Sequence, residues 1–108
     1  MPKNELKKII RKYAEILKEN RIQFKQIYLF GSYTTGKAHE WSDIDLAVVM
    51  DHVPRKGYLE QKMILRKLTK DADLRIEPIL LEESDLKEKT ASIMGYEVKK
   101  HGILVISG

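Results

Sequence analysis

The stretch LFGSYTTGKAHEWSDIDLAVV, residues 29–49, decides the fold and carries the candidate chemistry. An apolar run from Ile27 to Phe30 stops at Gly31, which is typical of a buried strand that ends in a tight turn. A second apolar run from Ile44 to Met50, interrupted only by Asp45, predicts another central strand. The stretch therefore predicts a strand, a glycine turn, a loop and a second strand, with polar residues at the strand ends, where ligands usually bind.

Two carboxylates, Asp43 and Asp45, stand at the start of the second predicted strand. Side chains alternate along a strand, so both point to one face with Cα atoms about 6.6 Å apart, while Ile44 and Leu46 point into the core. The two like charges repel, and a bound cation removes that repulsion. The chain has no cysteine and only three scattered histidines, so a metal site must use oxygen ligands, which favour a hard ion such as Mg²⁺.

A magnesium site of this kind is completed by water and substrate phosphates, so the expected substrate is a nucleoside triphosphate. Gly31 lets the backbone approach a phosphate closely, and the Ser32 hydroxyl and the amides of the following turn can donate to phosphate oxygens. Two-metal chemistry needs a further carboxylate on the attacking side. Glu77 is the candidate, because a neighbouring strand about 4.8 Å away would bring it beside the Asp pair. Asp73, which precedes that strand, is the alternative.

The remaining apolar patterns predict the other elements of the fold. They are a helix from Asn4 to Asn20 with Asn4 as N-cap, a loop from Asp51 to Gly57, a helix around Leu59 to Leu68, a strand from Leu74 to Leu81, a short turn capped by Ser84, a helix from Ser92 to His101 and a strand from Ile103 to Ile106. Pro78 inside the third strand indicates an edge or a bulge. The order α-β-β-α-β-α-β predicts one α/β (α+β) domain over residues 1–108, a mixed sheet of about four strands covered by helices.

The composition excludes several classes of protein. A chain of 108 residues with 43% hydrophobic residues suffices for one small domain. No run approaches the roughly 18 apolar residues of a membrane span, and the first five residues, MPKNE, lack a signal-peptide pattern, so a cytoplasmic protein without a membrane partner is expected. The net charge of +4 suits a nucleotide but does not by itself establish nucleic-acid binding.

The combination of motifs is more specific than its parts. A Gly-Ser pair alone is an ordinary turn, and Asp-x-Asp alone is often a solvated strand end. At average residue usage, Gly-Ser followed after ten residues by Asp-x-Asp arises on the order of once in a thousand sequences of this length. With residues 29–38 and 41–49, the sequence resembles the minimal nucleotidyltransferases of the DNA polymerase β superfamily, and residues 74–78 are similar to the strand that carries their third acid.

The resemblance extends through the helix before Gly102 and implies a polymerase β-like nucleotidyltransferase fold. It implies that Gly31 and Ser32 hold the triphosphate of ATP. It also implies that Asp43 and Asp45 bind both Mg²⁺ ions of a two-metal site and that Glu77 binds the catalytic one. Two positions depart from the family pattern: Thr34 stands where small residues are common, and Glu77 stands where aspartate is more usual.

The acceptor is expected to be another protein, because the chain ends at Gly108 with the catalytic module barely complete. The resemblance implies the stand-alone type often paired with a helical HEPN protein, in which the nucleotidyltransferase is the antitoxin and transfers AMP from ATP onto a hydroxyl of the toxin, a tyrosine by expectation. The alternatives are transfer to a small molecule or an RNA end, and a non-catalytic nucleotide-binding module. A nucleic-acid partner is not favoured but stays open, as does homo-oligomerisation.

Several further residues keep two interpretations. Lys37 either neutralises triphosphate charge or is a solvated loop lysine, and Trp41 either stacks on the base or packs under the loop. Arg55, Lys56 and Arg66 either contact phosphates or face water. None of them enters the predicted core site.

Overall fold

The computed structural model describes residues 3–39 and 42–107. Within them, four strands form one sheet with helices packed on both faces. The elements are α1 (Lys3–Glu19), β1 (Gln26–Phe30), α2 (Ser32–Thr35), β2 (Ile44–Met50), α3 (Arg55–Lys67), β3 (Ile76–Glu82), α4 (Ile93–His101) and β4 (Ile103–Ser107), with 3₁₀ turns at Leu68–Asp71 and Glu83–Leu86. None of the helices in these parts of the chain combines the length and apolarity needed to cross a membrane.

The sheet is mixed, with the strand order β3-β2-β1-β4. β1 runs antiparallel to both β2 and β4, whereas β2 and β3 are parallel. Parallel neighbours need a long crossover, and α3 supplies it here. The predicted α+β class and the mixed four-stranded sheet are confirmed.

Residues of β2 alternate between the two faces of the sheet. Ile44, Leu46 and Val48 are fully buried in the larger core cluster, where α1 and α3 pack. Ala47 and Val49 are buried in a smaller cluster on the opposite face, which includes Val98 of α4. By the same alternation Asp45 belongs to the α4 face, at the end where β2 begins.

The outer edge of β3 is set by its backbone pattern. The Arg75 carbonyl just before the strand accepts from the Ile44 amide at 2.8 Å, so every second residue from Arg75 onward directs its backbone groups toward β2. Pro78 lies in the other set, and so does Leu80, whose carbonyl accepts from the Tyr58 hydroxyl at 3.2 Å. The missing N–H of Pro78 therefore lies on the outer edge, in agreement with the predicted edge position.

Two helix boundaries differ from the predictions. Asn4 lies inside α1, since Lys3 is already helical, so it is not the N-cap. The loop predicted to end at Gly57 is shorter, because α3 begins at Arg55, directly after Pro54. Pro54 is the N-cap residue, and its carbonyl accepts from the Gly57 amide at 3.0 Å, so the first turn of α3 already contains the glycine predicted to end the loop.

Two predictions around β3 also need correction. Leu74 is not part of the strand: it is 79% exposed in a turn, and β3 begins at Ile76. Ser84 is not a cap but lies within its 3₁₀ turn, whose N-cap is Glu82 in a capping box with Asp85. The final helix matches more closely, since the Ser92 side chain accepts from the Gly95 amide at 3.0 Å.

Candidate active site

The turn after β1 brings the backbone against a carboxylate. Gly31 has φ 75° and ψ −146°, a conformation that is essentially confined to glycine. A Cβ at this position would also collide with the Asp45 carboxylate. Glycine is therefore required twice, once for the backbone angles and once for the close approach of the turn to Asp45.

Thr34 stabilises the same turn. Its amide and its hydroxyl both donate to the Gly31 carbonyl, at 3.0 and 2.9 Å. Ser32 begins the short helix α2, and the Lys37 amide donates to the Ser32 carbonyl at 3.2 Å, which closes the turn. The departure from the family pattern at Thr34 thus has a structural use, because the larger side chain adds a hydrogen bond to the turn.

The start of β2 is held from two sides. The buried Ser42 hydroxyl accepts from the His39 amide at 2.9 Å, and the Ser42 amide donates back to the His39 carbonyl at 3.0 Å. The Ile44 amide is bonded to the residue just before β3, as described above. Trp41 lies outside the described residues. These contacts fix the backbone on both sides of Asp43.

The structure brings Asp43, Asp45 and Glu77 together. Asp45 and Glu77 are register partners in the parallel β2–β3 pair, so their side chains share one face of the sheet. Burial raises the pKa of the Asp45 carboxyl, and the negative charges of Asp43 and Glu77 raise it further. Asp45 is therefore close enough to both Asp43 and Glu77 to be repelled by them.

Glu77 has a cationic neighbour from the crossover helix. The Arg66 guanidinium of α3 donates to a Glu77 carboxylate oxygen at 2.5 Å. The hydrogen bond and the charge of Glu77 raise the pKa of Arg66, and the charge of Asp43 adds to the effect. Glu77 is thus bound by Arg66. Within residues 3–39 and 42–107, no three acidic or imidazole side chains are arranged to hold a metal ion as they stand.

The donor set nevertheless fits a hard divalent cation. It consists of three carboxylates, two of them on adjacent strands and in register, and every ligand atom is an oxygen. The raised pKa of Asp45 reflects burial and repulsion, and a cation at this position would relieve the repulsion. Such a cation would be held by Asp43, Asp45 and Glu77 after Glu77 turns away from Arg66.

Asp73, the alternative third acid, is engaged elsewhere. The Arg75 amide and Nε donate to one Asp73 oxygen at 2.9 and 3.0 Å, and Arg75 Nη2 donates to the other at 2.8 Å. The side-chain hydrogen bond from Arg75 lowers the pKa of the Asp73 carboxyl. Asp73 therefore stabilises the turn that leads into β3.

A groove of about 830 Å³ lies between α3 and the outer part of β3. Arg66 and Pro78 line it beside Glu77. Its wall on α3 is open to solvent and combines the basic side chains of Lys62 and Arg66 with apolar ones. Leu59 and Met63 in this wall are 66% and 64% exposed, so the groove offers exposed apolar surface as well as positive charge.

Comparison with known proteins identifies the family. The sequence profile of the nucleotidyltransferase domain matches residues 10–105, nearly the whole chain. The chain belongs to the nucleotidyltransferase domain family. The match spans both motifs, the third strand and the last helix, so every acid discussed above lies within the nucleotidyltransferase domain.

Three relatives of this nucleotidyltransferase are informative. A candidate protein adenylyltransferase of Methanocaldococcus jannaschii, MJ1379, is 37% identical over 70% of this chain and 75% of its own length. The protein adenylyltransferase MntA of Shewanella oneidensis is 40% identical over 58% of this chain, and the match spans about half of MntA, 47%. A crystal structure of a toxin–antitoxin with AMP-PNP is similar with a TM-score of 0.54 and 28% identity, over 91% of this chain and 73% of that one.

The sequence did not assign Arg66 to the nucleotidyltransferase site. Its partner Glu77 lies eleven residues further on and belongs to another element, so no local pattern links the two. The Asp73–Arg75 pair had a local signal, because an acid and a base two residues apart before a strand can pair across a turn. Only the structure shows which acid each arginine binds.

Proposed function

We propose that this nucleotidyltransferase transfers AMP from ATP to a hydroxyl group of a protein partner, a tyrosine of a HEPN-type toxin, and acts as its antitoxin. The observation that carries the proposal is the register of β2 and β3, which pairs Asp45 with Glu77 next to the glycine turn. A family domain that had lost catalysis would have no use for two further acids beside the partly buried Asp45.

Each site residue has a defined role in this reaction. Gly31 lets the backbone of the turn approach the triphosphate closely, and the Ser32 hydroxyl donates to a phosphate oxygen. Asp43, Asp45 and Glu77 would hold Mg²⁺. Bound there, Mg²⁺ would lower the pKa of the attacking hydroxyl and neutralise charge on the departing pyrophosphate.

The bond changes are balanced. The hydroxyl oxygen of the acceptor bonds to the α-phosphorus of ATP, while the bond from that phosphorus to the β-phosphate oxygen breaks. Pyrophosphate leaves, the hydroxyl proton passes to solvent, and AMP stays on the acceptor as a phosphodiester. The part of the chain on the Glu77 side of the cluster faces the acceptor, and the Gly31 turn faces the pyrophosphate.

Two observations support a protein as the acceptor. The similar proteins include named protein adenylyltransferases and a toxin–antitoxin with AMP-PNP bound. The groove beside Glu77 carries exposed Leu59 and Met63, which a folded partner can bury and a small polar acceptor cannot. A partner in this place would also keep water away from the reacting atoms.

The test is to incubate the protein with α-labelled ATP, Mg²⁺ and the HEPN-type protein encoded beside its gene. Label is expected on the partner, at a tyrosine located by mass spectrometry. The matched control is Asp43→Asn, which should bind the partner in pull-down but transfer no label.

Other acceptors give different results in the same experiment. Label on tRNA or on a small molecule, with none on protein, would show that the acceptor is not a protein. Nucleotidyl transfer itself would still be supported. Absence of label with every acceptor, together with unaltered ATP binding by Asp43→Asn, would instead indicate a non-catalytic nucleotide-binding module.

A further inference from the structure

Arg66 combines two properties that a purely structural surface arginine does not need. It is bound to the candidate third acid, Glu77, and it also lies within the electrostatic influence of Asp43. Its side chain is 65% exposed, so the guanidinium is free to leave Glu77 without unpacking the core. Arg66 is the penultimate residue of a helix with five basic residues and one acidic one, so α3 itself carries a formal net charge of +4.

We propose that Arg66 exchanges partners during the reaction: it neutralises Glu77 in the empty site and binds a phosphate group of ATP once Glu77 has turned to the metal. This inference rests on the proposed function, because it assigns the triphosphate and the ions to the same cluster. In this proposal the triphosphate is bound by Arg66 of α3 as well as by the glycine turn and the ions held by the acids of the sheet.

The exchange follows from competition for the same oxygens. Arg66 donates to a carboxylate oxygen of Glu77, and an ion coordinated by that oxygen would meet the guanidinium at contact distance. Like charges at that distance repel, so an ion at this oxygen and the Arg66–Glu77 bond weaken each other. The released guanidinium is planar and bidentate, which matches phosphate as well as it matches carboxylate.

The distance between the turn and Glu77 suits this role. Glu77 on β3 is two strand spacings, about 10 Å, from the end of β1 that carries the turn. A triphosphate that starts at the Gly31 turn and crosses Asp45 therefore reaches the Glu77 side of the site. Arg66 is already on that side, close to where the phosphate nearest to the acceptor would lie.

The proposal predicts opposite effects on two ligands, which a structural role for Arg66 would not produce. In Arg66→Gln, Mn²⁺ alone should bind about two- to fivefold more tightly, the range expected when one exposed ion pair no longer competes. ATP at saturating Mg²⁺ should bind at least about tenfold more weakly, because a charge-assisted hydrogen bond to phosphate is lost. Both affinities are measured by isothermal titration calorimetry on the full chain.

Arg55→Gln is the matched control. Arg55 lies at the other end of α3, eleven residues or about 16 Å away, and loses the same charge from the same helix. Both affinities should stay within about twofold of the parent in this variant, since its charge is well beyond a Debye length from the site. Thermal melting of both variants monitors the fold.

Each other outcome overturns the proposal. Unchanged or weaker Mn²⁺ binding in Arg66→Gln would show that Arg66 does not compete for Glu77, and unchanged ATP binding would show that it does not move to phosphate. Equal changes in both affinities in Arg55→Gln would show that Arg66 acts only through the net charge of α3 and not through a specific bond. If the parent chain bound no ATP at any Mg²⁺ concentration, both the proposed function and the transfer of Arg66 to phosphate would fall, while the Mn²⁺ measurement would still show whether Arg66 competes with a cation for Glu77.

Discussion

Asp73 and Asp45, two acids near the start of β3, have opposite electrostatic surroundings. Asp73 is bound by Arg75 through its amide and its side chain, and these hydrogen bonds lower its pKa. Asp45 is partly buried beside Asp43 and Glu77, and its pKa is raised. The two acids therefore differ in their surroundings: Asp73, which stabilises a turn, is neutralised by Arg75, whereas Asp45, a candidate metal ligand, is left against like charge.

The largest expected effect is on catalysis by the cluster. Asp43→Asn and Asp45→Asn should each reduce AMP transfer by at least about 10²- to 10³-fold, because each removes charge that holds the ions at the reacting phosphate. Transfer is measured with α-labelled ATP and the protein partner. Near-normal transfer by either variant would remove that residue from the proposed site.

The second prediction separates the two candidates for the third acid. Glu77→Gln should lower transfer about 10²-fold, whereas Asp73→Asn should keep it within about threefold of the parent. The two variants make the same chemical change on either side of Arg75. If only Asp73→Asn silenced the enzyme, the comparison would be reversed and Asp73 would be the third ligand.

A smaller effect, on stability, should appear at Asp73 instead. Asp73→Asn is expected to lower the free energy of unfolding by about 1–2 kcal/mol at neutral pH, since the charge-assisted bonds from Arg75 are weakened. Urea denaturation measures the change. The lowered pKa means that this stabilisation is present above the unfolded-state pKa of about 3.9 and is lost as the pH falls through the folded value. A loss that did not depend on pH in this range would show that the charge of Asp73 is not what stabilises the turn.

The smallest effect concerns the metal-free stability of Asp45. Its raised pKa means that the ionised carboxylate disfavours the folded state above that pKa, and protonation at lower pH removes the penalty. Asp45→Asn should therefore be more stable than the parent at pH 7, by less than about 1 kcal/mol because the group is partly solvated. The difference should shrink as the pH falls toward about 3.9. A variant that is less stable than the parent at pH 7 without metal would show that Asp45 is structural.

The sequence predicted all four strands of the sheet, and the bounds of β2 most accurately. The apolar runs that predicted β1 and β2 are interrupted by few polar residues, so their ends were clear, and β2 matches Ile44 to Met50 without change. Glu77 was predicted beside the Asp pair from strand spacing, and the structure pairs it with Asp45. Its role as a metal ligand stays a prediction.

What could not be read from the sequence depends on contacts between distant elements. Arg66 had two interpretations because its partner lies across the α3–β3 connection. The start of α3 differs from the prediction because Gly57, which is typical of a loop, lies in the first turn of this helix after the N-cap Pro54. The use of the Thr34 hydroxyl became visible only with the fold of the turn.

Pro78 has a consequence for how the chain avoids misassembly. If β3 shifted by one residue against β2, Pro78 would face its neighbour without a donor, and Glu77 would move to the opposite side of the sheet from Asp45. The same ring denies an N–H to any foreign strand that approaches the outer edge, which discourages edge-to-edge aggregation. Pro78 thus disfavours a shifted strand register that would separate Glu77 from Asp45. It also disfavours pairing of the outer edge of β3 with a strand of another molecule.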